Sequence, residues 1–265
     1  MQKYLFLPGN STKYLKKIKT IKDAKFIIDF EDSINIKYID EYLKNLANIS
    51  PEGISIRISF HPSNEKYIKR LISAGFNKFI VPKLETINEL LPYRHLKGIT
   101  FIILIEHPRA LINIKEFCEF QNVVGIGIGS HDFCDFMHME HDIANLQLLR
   151  NTVLIYARSY GLEAIDFASM NIIDYMSFRE EIINGYNLGF DSKFCIHPIQ
   201  IEWTQDAIDD ENKNKLNISL DLKKYIESIG GKENFVLWNH KGQVIEKAHL
   251  NYYNRILKLN EYDCF

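Results

Sequence analysis

The sequence lacks a strong charge of either sign. Its 32 basic side chains (Lys and Arg) and 34 acidic ones (Asp and Glu) give a formal net charge of -2 at neutral pH. A nearly neutral chain has no electrostatic reason to bind nucleic acid or an anionic membrane surface. We therefore expect neither as a partner of this protein.

Long apolar runs and paired cysteines are also missing. No apolar run approaches the roughly 20 residues that a membrane-spanning helix needs, and the opening segment MQKYLFLPGN is interrupted too early for a signal peptide. Cys118, Cys134, Cys195 and Cys264 are far apart and show no C-x-x-C spacing, which is typical of reduced thiols. These features predict a soluble, cytoplasmic protein.

Two stretches resemble known motifs but fail on spacing. GIGIGS (125–130) has its glycines in the pattern G-x-G-x-G and is followed by SHDF, which does not resemble a helix start, so it does not match a dinucleotide-binding fingerprint. HMEHD (138–142) lacks the H-E-x-x-H spacing of a zinc site. We interpret its His and Glu side chains as solvated polar groups.

What the chain does contain is a short apolar segment that recurs and ends each time in polar residues. The eight segments are KYLFLP (3–8), KFIIDF (25–30), ISIRIS (54–59), KFIVPK (78–83), FIILI (101–105), VVGIGIGS (123–130), LEAIDFA (162–168) and KFCIHP (193–198). Such runs, bounded by turn signals, are typical of strands buried on both faces. Apolar residues at helical spacing occupy the intervals 37–47, 64–75, 110–120, 144–161 and 176–189.

Eight strand–helix alternations in 265 residues predict a (β/α)8 barrel rather than a doubly wound sheet. We assign residues 1–205 to the barrel and interpret 206–265 as a C-terminal lid. In this last part, 201–217 predicts a helix that runs into an acidic linker, and 219–231 predicts a second helix. A hairpin over 235–246 and a final helix over 247–259 follow.

Two acids follow neighbouring predicted strands directly. FIILI ends at Glu106, and VVGIGIGS is followed by Asp132. Parallel strands joined by a helix point their carboxyl ends the same way, so the two carboxylates are expected side by side. They repel each other unless a proton or a cation intervenes. A hard cation such as Mg²⁺, which leaves positions for water and substrate oxygens, suits this pair.

Other charged groups are expected at the same end of the barrel. Arg57 lies inside ISIRIS, where its planar fork suits a substrate carboxylate or, alternatively, an ion pair with Glu31 or Asp32. These two acids are candidates for orienting metal-bound water. Lys83 either neutralises them or acts on a substrate oxygen, and an ion pair with Glu85 is an equally weighted alternative.

Main-chain groups complete the predicted substrate site. The glycines that lead to Gly129 and Ser130 allow the backbone to approach the metal and the substrate closely. Asn10 precedes a helix that begins near Thr12, where N–H groups either bind an anionic group or cap the helix. Asp166 is interpreted as a carboxylate that orients a ligand or caps a helix.

Eight short motifs occur in one order across residues 4–201: LFLPGN, IIDFEDSI, IRIS, VPKLET, LIEHPRAL, GIGSHDF, YARSYGLEAID and LGFDSKFCIHPIQI. Together they resemble the citrate lyase β-subunit family within the HpcH/HpaI-type aldolases. The resemblance implies a Mg²⁺-dependent carbon–carbon lyase on a (β/α)8 barrel and a homotrimer. Its implied partners are a 2-oxo acid (oxaloacetate, glyoxylate or pyruvate) and an acyl-CoA or acyl-carrier thioester, as in citryl-, malyl- or citramalyl-CoA.

By the same resemblance, the metal ligands of the family match Glu106 and Asp132, and its V-R-I-N arginine matches Arg57. Its acidic L-E-D pair matches Glu31 and Asp32.

The lid segment departs from the family pattern. The family has a catalytic Asp in a G-x-x-x-D-x-P motif that reaches a neighbouring subunit, and here Glu246 replaces that Asp and Ala248 the Pro. Ser59 stands where the family has Asn. We assign general acid–base chemistry to Glu246. Two alternatives remain open: a class II aldolase for free 2-oxo acids without CoA, and a non-catalytic subunit that binds a partner.

Overall fold

Eight parallel strands close into a barrel in the order of the sequence. They are β1 (Gln2–Pro8), β2 (Lys25–Asp29), β3 (Ile54–Arg57), β4 (Lys78–Val81), β5 (Thr100–Ile105), β6 (Val123–Ile128), β7 (Glu163–Asp166) and β8 (Ser192–Cys195). Each predicted strand is present, and the predicted (β/α)8 barrel is confirmed. The computed structural model describes residues 1–31, 39–46 and 49–265, so Asp32 lies outside the described residues.

Helices cover the outside of the barrel. In the barrel unit they are α1 (Thr12–Lys16), α2 (Ile39–Leu46), α3 (Glu65–Ser73), α4 (Pro108–Ile112), α5 (Ile114–Cys118), α6 (Ser130–Met137), α7 (Gln147–Tyr160) and α8 (Tyr175–Leu188). The amphipathic helices α7 and α8 are terminated by Gly161 and Gly189. These glycines adopt the left-handed conformation common at helix ends, with φ angles of 67° and 106°. The β4–β5 connection contains two short 3-10 turns, Ile87–Glu89 and Leu91–Tyr93, where the strand–helix alternation predicts an α-helix.

The barrel interior has polar ends and an apolar middle. Because side chains alternate along a strand, every second residue points inward. An apolar group that includes Ile27, Ile80, Ile102 and Phe194 fills the middle of the barrel and forms a cluster separate from the core between sheet and helices. Toward both ends of the strands, charged residues occupy inward-pointing positions. The candidate site lies at the carboxyl ends, where such residues come together.

Three predictions about the helical segments differ from the structure. The interval 110–120 contains two helices, α4 and α5, that meet at Asn113, whose side-chain amide donates to the Glu85 carbonyl at 2.8 Å. SHDF does begin a helix, α6, so its exclusion as a helix start is wrong. The predicted acidic linker is also wrong, because α9 (Ile199–Ser228) runs without a break.

The continuity of α9 has a local reason. Residues 199–228 contain no Gly or Pro, and pairs such as Lys215–Glu211, at 3.6 Å and i,i+4 spacing, favour the helix.

The chain divides into two compact units, Met1–Thr204 and Gln205–Phe265. The second unit contains the predicted hairpin, β9 (Leu237–His240) and β10 (Gln243–Glu246), and the predicted last helix, α10 (Leu250–Leu259). It has a small apolar cluster of its own, formed by Leu222, Ile226, Phe235, Ile245 and Leu250. Among the described residues, every helix falls short of the length or the hydropathy that crossing a membrane requires.

Candidate functional site

A cavity of about 430 Å³ lies at the carboxyl ends of the barrel strands. Its floor includes Leu104 and Phe194 from the apolar middle layer. Its polar wall brings together five of the residues predicted from the sequence: Arg57, Glu106, Gly129, Ser130 and Asp132. In (β/α)8 enzymes the carboxyl ends of the strands hold the active site, and this cavity is therefore the candidate site.

Glu106 is a deeply buried acid of the cavity, with 5% of the residue exposed. Its Oε2 accepts a hydrogen bond from the Lys83 backbone N–H at 2.9 Å. Burial, together with the nearby charges of Glu31 and Asp132, raises the pKa of the Glu106 carboxyl to about 8. A neutral carboxyl at pH 7 is thus favoured unless a cation is present to hold the ionised form.

The donor set fits Mg²⁺. Glu106 follows β5 and Asp132 lies in the first turn of α6, so two hard oxygen ligands border the same cavity. Within the described ranges, no group of three or more His, Cys, Asp or Glu side chains is arranged to enclose a metal ion. A two-carboxylate site of this kind leaves positions for water and substrate oxygens, as Mg²⁺ sites commonly do.

Arg57 is held by Asp29, an acid that the sequence interpretation missed. The guanidinium Nε and Nη2 atoms donate to the two carboxylate oxygens of Asp29, each at 2.8 Å. Glu31 lies farther away, with its Oε2 at 3.7 Å from Nε. The predicted ion pair with Glu31 is therefore secondary. Asp29 was detectable, because it occupies the inward phase of KFIIDF, two residues after Ile27.

Lys83 stands beside the cavity rather than in its lining. Its ammonium lies 2.8 Å from Glu31 Oε1, as expected for neutralising that acid. The alternative pair with Glu85 is wrong, since Glu85 instead accepts from Arg109 at 2.8 Å. Lys83 adopts a left-handed backbone conformation, with φ 57°, and its N–H reaches Glu106 from this conformation. Such a conformation is costly for a non-glycine residue and is often found at functional sites.

Two histidines form a second polar group at the cavity edge. The Ser130 Oγ and His141 Nε2 atoms lie at hydrogen-bond distance, 2.8 Å. The His141 ring stacks on His131, with centroids 4.1 Å apart. Burial, followed by the neighbouring His131, lowers the pKa of His141. His141 is exposed, as its interpretation as a solvated polar group implies, and the tertiary fold also brings its ring to Ser130.

Three other predicted residues lie outside the cavity lining. Asn10 follows β1 and is exposed. Glu246 belongs to the second unit, where its carboxylate and the side chain of His249 cap the short turn before α10. Asp166 is fully buried, and its carboxylate is paired with Arg150.

Gly129→Ala is expected to abolish metal binding without unfolding the barrel. A Cβ at position 129 would overlap the Glu106 side chain and lie within 2.7 Å of its carboxyl carbon, so the carboxylate must move. Titration calorimetry with Mg²⁺ and a 2-oxo acid measures the loss. The control is Gly125→Ala in β6, the strand that leads to Gly129, because a Cβ there meets Glu163 and Ile102 rather than the site. Equal binding by Gly129→Ala and the wild type would contradict the assigned metal position.

Comparisons with known proteins identify the family of this chain. The model of the HpcH/HpaI aldolase/citrate lyase family matches residues 2–198. Citrate lyase subunit beta of Leuconostoc mesenteroides is 24% identical over 96% of this chain and 91% of that protein. Human mitochondrial citramalyl-CoA lyase is 26% identical over 76% of this chain and 69% of its own length.

Solved structures share the fold. CitE from Mycobacterium tuberculosis, in complex with magnesium, acetoacetate and coenzyme A, has a TM-score of 0.78 at 21% identity and covers 97% of both chains. CitE from the same organism with magnesium and pyruvate has a TM-score of 0.70 at 22% identity, over 78% of this chain and 89% of that one. The family model spans most of the chain, so the predicted family and its class of enzyme, a carbon–carbon lyase, are confirmed. This chain belongs to the HpcH/HpaI aldolase/citrate lyase family.

Proposed function

We propose that this protein is a Mg²⁺-dependent lyase that cleaves or forms a 3-hydroxyacyl thioester, with a 2-oxo acid and an acyl thioester as the other partners. The observation that carries the proposal is the meeting of Glu106, Asp132 and Arg57 in one cavity at the carboxyl end of the barrel. Relatives named as citrate lyase subunit and citramalyl-CoA lyase, and structural neighbours solved with magnesium, pyruvate, oxaloacetate or coenzyme A, support it.

Each residue of the site has a role in the proposed reaction that follows from its chemistry. Glu106 and Asp132 would hold Mg²⁺, which when bound supplies a Lewis acid for the oxygens of the oxo acid. Arg57 binds the free carboxylate of the substrate, since a guanidinium forms paired, planar hydrogen bonds with carboxylates. Asp29 fixes the plane of that guanidinium through its two hydrogen bonds. The Ser130 hydroxyl donates to a substrate oxygen, and Gly129 allows the close approach.

Binding of Mg²⁺ is expected to release about one proton per ion at pH 7. The pKa of Glu106 near 8 means that its carboxyl is mostly protonated before the metal binds, and the ligand must ionise to coordinate. Affinity should therefore rise about tenfold per pH unit below pH 8 and level off above it. Calorimetry in buffers of different ionisation enthalpy measures the proton count. A heat of binding that is the same in every buffer would contradict the prediction.

We further propose that residues 206–265 form a lid and that Glu246 serves as general acid or base in a neighbouring subunit of a homotrimer. Support comes from the resemblance of the segment to the family's lid and from the exposed position of Glu246 on β10. Glu246→Gln is expected to lower kcat by about 10²-fold or more, whereas Glu246→Asp keeps a carboxylate and loses less. Equal kcat for Glu246→Gln and the wild type would remove Glu246 from the mechanism.

The experiment that tests the proposed reaction compares thioesters with free acids. The purified protein is incubated with Mg²⁺ and citramalyl-CoA, malyl-CoA or the corresponding free hydroxy acids, and the released 2-oxo acid is measured. We expect release from a thioester and none from Asp132→Ala. Release from free acids alone would replace the proposal with a CoA-independent aldolase. Release from neither class would indicate a non-catalytic subunit.

A further inference from the structure

The amino end of the barrel interior is closed by a polar cluster around the hydroxyl of Tyr4. Lys25 and Lys78 donate hydrogen bonds from Nζ to this hydroxyl at 3.2 and 3.0 Å. The hydroxyl in turn donates to Glu163 Oε2 at 2.9 Å, and Ser192 donates to Oε1 at 2.5 Å. Two ammonium groups thus face one carboxylate, and the cluster carries an excess of positive charge.

A second cavity, of about 580 Å³, opens beside this cluster. Both lysines line it, and the polar residues Ser50, Ser55 and Asn77 line it with them. Ser55 points to the barrel interior in the same phase as Arg57. The wall therefore offers hydrogen-bond donors beside the positive charge. The acid Glu52 also lies on the wall, at an exposed position.

The two lysines are held partly out of water. The exposed fractions of their side chains are 38% for Lys25 and 24% for Lys78. Burial lowers the pKa of Lys78, Glu163 opposes that effect, and the charge of Lys25 adds to it. Each ammonium has three N–H groups, and each donates one hydrogen bond within the described chain, to Tyr4. An anion between the lysines would complete these hydrogen bonds and relieve the repulsion between the two positive charges.

We propose that the cavity at the amino end of the barrel binds a phosphate-type dianion between Lys25 and Lys78. The ligand is inorganic phosphate or the phosphate group of a small metabolite, because two ammonium groups and neighbouring hydroxyls match its charge and its acceptor oxygens. This site is separate from the candidate lyase site. Lys25 and Asp29 lie at opposite ends of β2, which places the two sites about 13 Å apart along the strand. A dianion bound here bridges the amino ends of β2 and β4 and stabilises the barrel.

The test is a titration of the full-length, metal-free protein with inorganic phosphate at constant ionic strength. Thermal denaturation and calorimetry measure binding, and chloride is the reference salt. EDTA is present so that Mg²⁺ cannot mediate the binding of phosphate. Lys25→Gln is the first variant, because Lys25 is the more exposed lysine and its loss should not unfold the barrel. Lys78→Gln is the second, and the exposed Lys97→Gln is the matched control. Arg57→Gln tests whether phosphate binds at the lyase site instead.

We expect one phosphate per chain, a higher melting temperature than in chloride, and at least about tenfold weaker binding in each of the two cluster variants. Lys97→Gln and Arg57→Gln should bind as the wild type does. A parallel titration with glycerol 3-phosphate distinguishes free phosphate from a phosphate ester as the ligand. If glycerol 3-phosphate binds more tightly than inorganic phosphate, the ligand is a phosphate ester. If it binds more weakly, the ligand is the free ion. The same melting temperature in phosphate and chloride, unchanged binding by Lys25→Gln, or loss of binding in Arg57→Gln would overturn the proposal.

Discussion

Glu106→Gln is expected to lower kcat for thioester cleavage by at least about 10³-fold while the barrel remains folded. The amide keeps the shape of the side chain and is a far weaker metal ligand than a carboxylate, so the several kcal/mol that a Lewis acid contributes are lost. Stability should not fall, because the carboxyl of Glu106 is already favoured in its neutral form by its pKa of about 8. Steady-state kinetics with Mg²⁺ and melting curves without it measure the two effects.

The sign of the pH dependence provides a second readout of the same variant. The pKa of Glu106 is higher in the folded state than in the unfolded chain. Protonation of Glu106 therefore stabilises the folded state at acid pH, and this contribution to the free energy of unfolding is lost as the pH rises toward about 8. Metal-free wild type should therefore lose stability relative to Glu106→Gln over this range. The matched control is Glu85→Gln, which removes an acid whose side chain is 41% exposed, and it should change kcat only slightly. Near wild-type activity of Glu106→Gln would contradict its role as a ligand.

Arg150→Met is expected to lower the free energy of unfolding by about 3–5 kcal/mol, the largest effect on stability that we expect of a single substitution. Arg150 on α7 and Asp166 at the end of β7 have fully buried side chains, joined by hydrogen bonds of 3.1 and 2.8 Å. Removing the guanidinium leaves the Asp166 carboxylate in a dry environment. Lys193, at 3.8 Å, is beyond hydrogen-bond distance from that carboxylate. Chemical denaturation measures the loss.

The same helix provides the control for this experiment. Arg158 on α7 pairs with Asp191 at 2.8 Å, but their side chains are 50% and 39% exposed. An exposed pair is screened by water, so Arg158→Met should cost less than about 1 kcal/mol. If the two substitutions cost the same, burial would not be the source of the effect at Arg150. The double variant Arg150→Met/Asp166→Asn should recover part of the loss, because no unpaired carboxylate remains at position 166 and Lys193 keeps the Glu181 carboxylate at 3.8 Å.

The barrel and the position of the candidate metal ligands were accessible from local sequence signals. Each strand is a short apolar run that ends in polar residues, and this pattern arises because parallel strands are buried on both faces while their ends meet solvent. Glu106 and Asp132 follow two such runs directly, so their position at one end of the barrel required only the direction of the strands.

Features that depend on tertiary contacts were not accessible. His141 reaches Ser130 only because the segment after α6 returns to the start of that helix, and no spacing rule encodes this contact. The inward position of Asp29 is evident from KFIIDF, but its pairing with Arg57 depends on the register between β2 and β3, which places the two residues opposite each other. The polar composition within α9 predicts a linker. This prediction is wrong because the absence of Gly and Pro and the spacing of the charges favour a helix.

Titration calorimetry of Mg²⁺ with oxaloacetate, pyruvate and glyoxylate tests the central claim most directly, on the wild type and on Asp132→Ala. We expect the wild type to bind at least one oxo acid only when Mg²⁺ is present, and Asp132→Ala to bind none. Failure of the wild type to bind any oxo acid, with or without the metal, would contradict the assignment of Glu106 and Asp132 as a metal site for a lyase.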